Sequence, residues 1–530
     1  MCLDPRARFV KYIVVAVCCG GVASAAAQTR EPQLPAGPLT LEQVLEVAEA
    51  RSESIAIARA GVRRAEGEQV RARSGLRPQL SVSASYDRAL ASEFEGVFDS
   101  FDFGNTGNSG TDNGLENLPF GRSNTWRATL SFTQNLYSGG RLGAQSAIAQ
   151  VGRATADLGV TTAQAQLLFD VTQAYYDAAL ADRLVAIAAS TLEQASATLR
   201  QTQASFDAGT QPEFEVLRAR VSRDNQTPLL IRQRVNREIA LQRLMQLLEV
   251  PVDYDLRLAD TLGDETLPPA PAFAERVAVV ENRMQVVDPG SFTILQQVSI
   301  PERTVVAEAG ATMRLREASL RLTEAERMPS VTLNSSYGRV AYPSGAFPTF
   351  NRTNWTVGAS LSVPILTGGR QRGDELVARA ELEQARVQRQ QIEELAALDT
   401  RSTWAELLAA RAVWVASAGT VQQASRAYEI ADVRYRAGVS TQLELSDSRV
   451  ALQQAEANRA QAARDLQVAR ARAALLPGLP LGAGNGAPAV PVTPRAPVQV
   501  PMPTAPLPQG GGGQFRNAAA QTGPAQAGTR

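Results

Sequence analysis

Asn135-Leu136-Tyr137-Ser138-Gly139-Gly140-Arg141 and Pro364-Ile365-Leu366-Thr367-Gly368-Gly369-Arg370 are two versions of one phrase, standing 229 positions apart in a chain of 530 residues. The same displacement carries Trp126 onto Trp355, and Phe206-Asp207-Ala208-Gly209 onto Tyr435-Arg436-Ala437-Gly438. Landmarks from Trp126 to Gly209 thus keep one register without a gap, which chance similarity between Ala-rich helices does not produce. The chain is a duplication, and a duplication governs every later assignment. Upstream the offset becomes 251, since Pro78 pairs with Pro329. The intervening loop, residues 89–123, is therefore longer in the first half, and it is rich in Gly, Asn, Asp and Phe. Length variation of this kind belongs to exposed loops.

Each half reads in one order. A helical stretch (41–77 or 304–328) leads to a proline and a strand, then a loop, a second strand and the Gly-Gly turn. A proline-free run follows, 141–206 and 370–435, dominated by the helix formers Ala, Gln, Arg, Leu and Glu. At 1.5 Å per residue each run makes a rod of about 100 Å. Phe206-Asp207-Ala208-Gly209 and Tyr435-Arg436-Ala437-Gly438 then supply a glycine stop, so the chain reverses into a return helix.

The four strands, placed at about 79–90, 125–136, 330–342 and 353–364, alternate apolar with hydroxyl or amide residues. Leu80, Val82, Ala84 and Tyr86 are separated by serines, and Trp126, Ala128, Leu130 and Phe132 by Arg127, Thr129 and Ser131. A soluble sheet with one wet face gives the same pattern. Each strand, however, reaches the 9 to 11 residues that cross an outer membrane, and aromatics sit near the ends as interfacial girdles require. The girdle candidates are Trp126, Trp355, Tyr86 and Tyr337; Arg127, opposite in face to Trp126, points to water. An open edge cannot face lipid, so spanning demands a closed barrel. Four strands are too few to enclose a channel, so several copies must pool theirs.

Composition excludes much. Basic and acidic residues number 53 each, which leaves no field to attract nucleic acid. There is no histidine, and the three cysteines, Cys2, Cys18 and Cys19, fall in an N-terminal segment, residues 1–27, that reads as a secretory signal. A lipidated Cys18 or Cys19 is the lesser alternative, since Val17 and Cys18 are poor residues to precede a lipid acceptor. No phosphate-cradling loop or nucleophile elbow is present, and neither an enzyme, a cofactor nor a metal is expected. The remaining organisation is a first repeat over 28–250, a linker and insertion over 251–303 with extra residues near 284–302, a second repeat over 304–476, and a Pro/Gly-rich tail, 477–530, expected to be disordered.

The twin strand-Gly-Gly-Arg turns and the twin aromatic-x-Ala-Gly tips resemble the TolC, or outer membrane factor, family over roughly residues 39–476. What that resemblance implies is an α+β membrane protein. Its homotrimer pools four transmembrane strands per protomer into a twelve-stranded barrel in the outer membrane of a Gram-negative bacterium. The barrel continues into a long periplasmic α-helical barrel. The duct is expected to work passively in a tripartite efflux system, docking through its tips, at Gly209, Thr210, Gly438 and Val439, with a periplasmic adaptor and an inner-membrane transporter. The resemblance also places an acidic pair just past the second tip, Glu444 and Asp447. These stand three apart and share one helical face, and in a trimer they would ring the periplasmic mouth. The alternative is that acids near a helix start only complement its dipole. In the first half Glu215 aligns with Glu444, but Arg218 replaces the second acid. Asn135 stands where the second half has Pro364, so the first junction departs from the family pattern. The rival readings are the outer-membrane duct of a type I protein secretion system and, in another class, a structural coiled-coil envelope protein.

Overall fold

The computed structural model describes residues 37–88, 90, 124–251, 254–259, 262, 267–285, 303–341 and 352–482. The signal segment, almost all of the loop over 89–123, the insertion beyond Gln285 and the tail beyond Gly482 lie outside the described residues.

Two short helices open the described chain, α1 (Leu41–Arg51) and α2 (Glu53–Ser74), followed by strands β1 (Gln79–Arg88) and β2 (Asn124–Tyr137) and the hairpin α3 (Arg141–Asp207) and α4 (Glu213–Leu247). After a connection containing α5 (Ala274–Gln285), the unit recurs as α6 (Thr304–Ala325), β3 (Ser330–Ala341), β4 (Arg352–Ser362), α7 (Arg370–Arg436) and α8 (Gln442–Leu475). The correspondence is quantitative: α2 and α6 are 22 residues each, and α3 and α7 are 67 residues each, about 100 Å of rod.

Sequence explains the boundaries. Thr40 caps α1 through a reciprocal capping box with Gln43. The single stretch expected over 41–77 is broken at Ser52, whose hydroxyl accepts from the Ile55 N–H and so starts a new helix. Gly139 and Gly140 have φ of 62° and 89°, and Gly368 and Gly369 have 60° and 88°, the left-handed turn that launches each rod. At Gly139 a Cβ would also lie 2.2 Å from the Met328 Cβ, so that turn is pressed against the end of α6.

The sheet is antiparallel in the order β1-β2-β3-β4. Its register aligns the apolar positions in rows: Leu80 with Phe132, Val82 with Leu130, Tyr86 with Trp126, then Leu130 with Tyr337 and Tyr337 with Trp355. The other face carries Ser81, Ser131, Ser336 and Thr356 in one row, a wall of hydroxyls. A bulge interrupts β2 between Asn135 and Tyr137. Asn135 earns its place there: its amide donates to the Gly75 carbonyl at 3.0 Å and accepts from Thr332 at 3.3 Å, tying α2 to β3. Pro364 could do neither.

The main core lies at mid-height. It joins α1, the middle of α3 (Phe169, Val171, Tyr175), the end of α4 (Leu244, Leu248), the connection (Leu256, Phe273, Val277) and the end of α8 (Ala471, Leu475). Residues 477–482, assigned to the tail by composition, belong to this region instead. Leu479 is buried, Pro477 accepts from the Thr304 N–H at 2.8 Å, and the Leu479 carbonyl accepts from Arg303 at 3.0 Å. The rods away from this belt carry exposed Leu, Ile and Val side chains, among them Val221, Ile231, Val235, Ile239, Val413 and Val433.

Candidate functional site

The rods end in two tips built alike. Gly209 and Gly438, at φ 72° and 73°, close Schellman motifs in which Thr210 N–H bonds Ser205 O at 2.9 Å and Val439 N–H bonds Arg434 O at 3.0 Å. Both tips are exposed. Beyond the turns they diverge. Helix α4 begins after Pro212, which offers no side-chain cap, whereas Thr441 caps α8 by accepting from the Glu444 N–H at 3.4 Å.

Glu444 and Asp447 share one side of α8 but have different surroundings. The Glu444 carboxylate receives Arg434 Nη1 at 3.0 Å, so this acid serves its helix start and closes the hairpin onto itself. Asp447 is exposed and forms no ion pair or hydrogen bond among the described residues. In the first tip Glu215 meets the buried Gln442 amide: with the amide oriented to satisfy both groups, its nitrogen donates to the Glu215 carboxylate at 2.9 Å and its oxygen accepts from Ala219 N–H at 3.0 Å. Arg218, at the second acid's place, lies over the Phe214 ring at 5.4 Å.

Sequence reasoning missed the groups that hold the two hairpins together. Tyr435 shares a 2.8 Å hydroxyl contact with Thr202 inside a small apolar cluster of Ala431, Leu445 and Tyr428. The signal was available, since Tyr435 adds a hydroxyl where the first copy has Phe206. Arg449 of α8 is buried and donates to Ser222 of α4 at 2.6 Å, with its Nε left without an acceptor. Burial lowers its pKa, and burial together with the Asp432 charge raises that of Tyr428.

At the opposite end, the aromatics expected to form a girdle all lie on the sheet's apolar face. Tyr86 and Trp126 are directly paired, rings 4.8 Å apart, and the Tyr86 hydroxyl donates to Asn124 at 2.8 Å. Trp355, opposite Tyr337, is 71% exposed and donates its indole N–H to Ser335 at 3.2 Å. Arg127, on the other face, lies 3.8 Å from Asp87. Among the described residues no helix is long and apolar enough to cross a membrane.

A sequence model described as "Outer membrane efflux protein" matches residues 44–249 and 297–479. No curated protein matches the chain by sequence. Among solved structures, the chain is similar to the CmeC outer membrane channel of Campylobacter jejuni, at 16% identity and a TM-score of 0.64 over 83% of this chain and 86% of that one. It is similar to the outer membrane protein VceC of Vibrio cholerae, at 17% identity and a TM-score of 0.63 over 83% and 96%. The open state of the MtrE outer membrane channel of Neisseria gonorrhoeae matches at 20% identity and a TM-score of 0.62 over 83% and 89%. At these identities the likeness to solved structures is one of fold.

Proposed function

The chain belongs to the outer membrane efflux protein family, a family of exit ducts rather than enzymes, and from that premise we propose how its own residues build and serve the duct. Three copies pool their sheets into a twelve-stranded barrel seated in outer-membrane lipid. The supporting observation is the sheet itself: among the described residues β1 and β4 are unpaired edges, and large apolar side chains crowd one exposed face while the other is all but free of them. Such edges are a liability in water and forbidden in lipid, and pairing β4 of one copy with β1 of the next removes both. The exposed apolar stripes of the rods then meet those of neighbouring copies to form the helical tunnel. Trp126, Trp355, Tyr86 and Tyr337 anchor the barrel at the membrane interface.

At the tunnel's free end, Gly209, Thr210, Gly438 and Val439 present the docking tips to a periplasmic adaptor, which joins the duct to an energised inner-membrane transporter of small molecules. Asp447 supplies the carboxylate ring at the mouth, where it attracts cations. Glu444, taken up by Arg434 and by its helix start, backs that ring rather than forming it. Selection of cargo lies with the partners.

Cross-linking in cells from a cysteine placed at Thr210 or Val439 tests this assignment. Capture of the adaptor of a drug pump is the expected result. Capture of a secretion-type adaptor would make the chain a protein export duct, and release of the protein from cells without detergent would sink the channel reading altogether.

A further inference from the structure

Charge on the sheet is sorted by face and by end. The charged residues of the four strands are Asp87, Arg88, Arg127, Arg339 and Arg352. The pairing register places Asp87, Arg127 and Arg352 in the hydroxyl-lined rows. Arg88 and Arg339 stand in the rows of Leu80, Val82, Tyr86, Trp126, Tyr337 and Trp355. Both are exposed, and neither meets an acid among the described residues. Among the described residues no carboxylate occurs in those apolar rows.

Both cations also lie at the loop end of the strands, remote from the rods. Arg88 follows Tyr86 by one step along its face, just past the Tyr86–Trp126 pair. Arg339 stands opposite Ala128 and Thr353, small residues that leave room beside it, with Trp126 and Trp355 at the diagonal positions. Strand spacing and rise put the two arginines roughly 17 Å apart. On a lipid-facing strand an arginine costs about 2–4 kcal/mol at the bilayer midplane and about 0–1 near the interface. A guanidinium in such a belt, with no acid to pair with among the described residues, is suited to an anion from the membrane, and its fork of donors matches phosphate.

We propose that Arg88 and Arg339 bind the phosphates of an outer-leaflet glycolipid, fixing the duct's depth in the membrane through a charge pairing that the aromatic belt alone does not supply. This site rests on the barrel reading given above, because only in a closed barrel does the apolar face meet lipid. It faces away from the conduit, so the lipid is a structural ligand and not cargo.

The full-length chain, purified in mild detergent and moved into phosphatidylcholine nanodiscs, is titrated with bisphosphorylated lipid A and bound lipid is read by native mass spectrometry. The unaltered chain is expected to retain lipid A, and the R88Q/R339Q double variant to bind it roughly tenfold more weakly, the effect of losing charge-assisted bonds. R339K keeps part of the affinity, and R127Q, whose side chain is on the hydroxyl face, keeps all of it. Inorganic phosphate at matched concentration does not compete. Equal retention by the double variant, equal loss in R127Q, or effective competition by inorganic phosphate overturns the site. Failure to enter nanodiscs at all overturns the barrel reading and the lipid site with it, whereas entry with unchanged binding overturns only the site.

Discussion

Asp170 of α3 and Asp399 of α7 occupy the same place in the two copies of the repeat, and so do Arg243 of α4 and Arg472 of α8, which face them across each hairpin. The outcome differs. Asp399 receives Arg472 at 3.2 Å and Arg303 at 2.5 Å, while Arg472 also reaches Glu406 at 2.6 Å. Among the described residues Asp170 has only the Gln166 amide at 2.8 Å, and Arg243 acts on it through space. The difference comes from the residue that starts the neighbouring helix: Ser52 caps α2, and its counterpart ahead of α6 is Arg303, whose side chain is 0% exposed. Duplication conserved the scaffold, and one capping position redirected the electrostatics at mid-height.

The largest expected effect breaks this asymmetry directly. D399N removes the carboxylate that balances the buried Arg303 and leaves that charge only neutral acceptors, the new amide oxygen and the Leu479 carbonyl, among the described residues. Stranding a buried charge costs about 3–5 kcal/mol. D170N strands nothing. The apparent thermal midpoint of the detergent-solubilised protein should fall steeply for D399N and hold for D170N. Adding R303M to D399N should recover most of the loss, since a long apolar side chain can fill the dry site. Equal midpoints for the two single variants would show that the Asp399 network is incidental.

The tips offer a second, smaller contrast. Asp447 has no partner among the described residues and Glu215 is held by Gln442, so in planar bilayers D447N should lower the cation-over-anion permeability ratio a few-fold, and E215Q should change it little. A shift of similar size in both variants would mean that the acids act through the general field of the mouth rather than as a ring.

How much of this was legible follows from what each signal depends on. The strands and rods could be read because alternation and proline-free helix formers are local, and the duplication because Gly-Gly turns need left-handed backbone whatever surrounds them. Arg303, Arg449 and Gln442 could not be read, because an arginine or glutamine on a helix is ordinarily solvated and only packing between distant segments buries these three. Glu444 was half legible. Spacing put it on one face with Asp447, but its pairing with Arg434 across the turn depends on the path of the hairpin. Asn135 read as a departure from the pattern of Pro364 and turned out to stitch α2 to β3, which no one-dimensional comparison of the two copies contains.

The smallest contrast is in pH dependence, and its sign follows from burial. Burial raises the Asp170 pKa above 3.8, with the Gln166 bond and the Arg243 charge opposing, and it raises that of Glu308, which accepts from Thr162 at 3.2 Å, above 4.5. Below its unfolded pKa each group is protonated in both states and costs nothing. As pH rises through the raised native pKa, the folded chain must ionise a carboxyl in a partly dry site, so stability falls and stays lower at neutral pH. The D170N/E308Q variant keeps both acceptors and removes both ionisations. Its thermal midpoint should match that of the unaltered chain near about pH 4 and exceed it modestly at about pH 7. Parallel profiles across that window would mean that water reaches both carboxylates, and that the surroundings of Asp170 in the first copy and of Glu308 in the second are as wet as the surface.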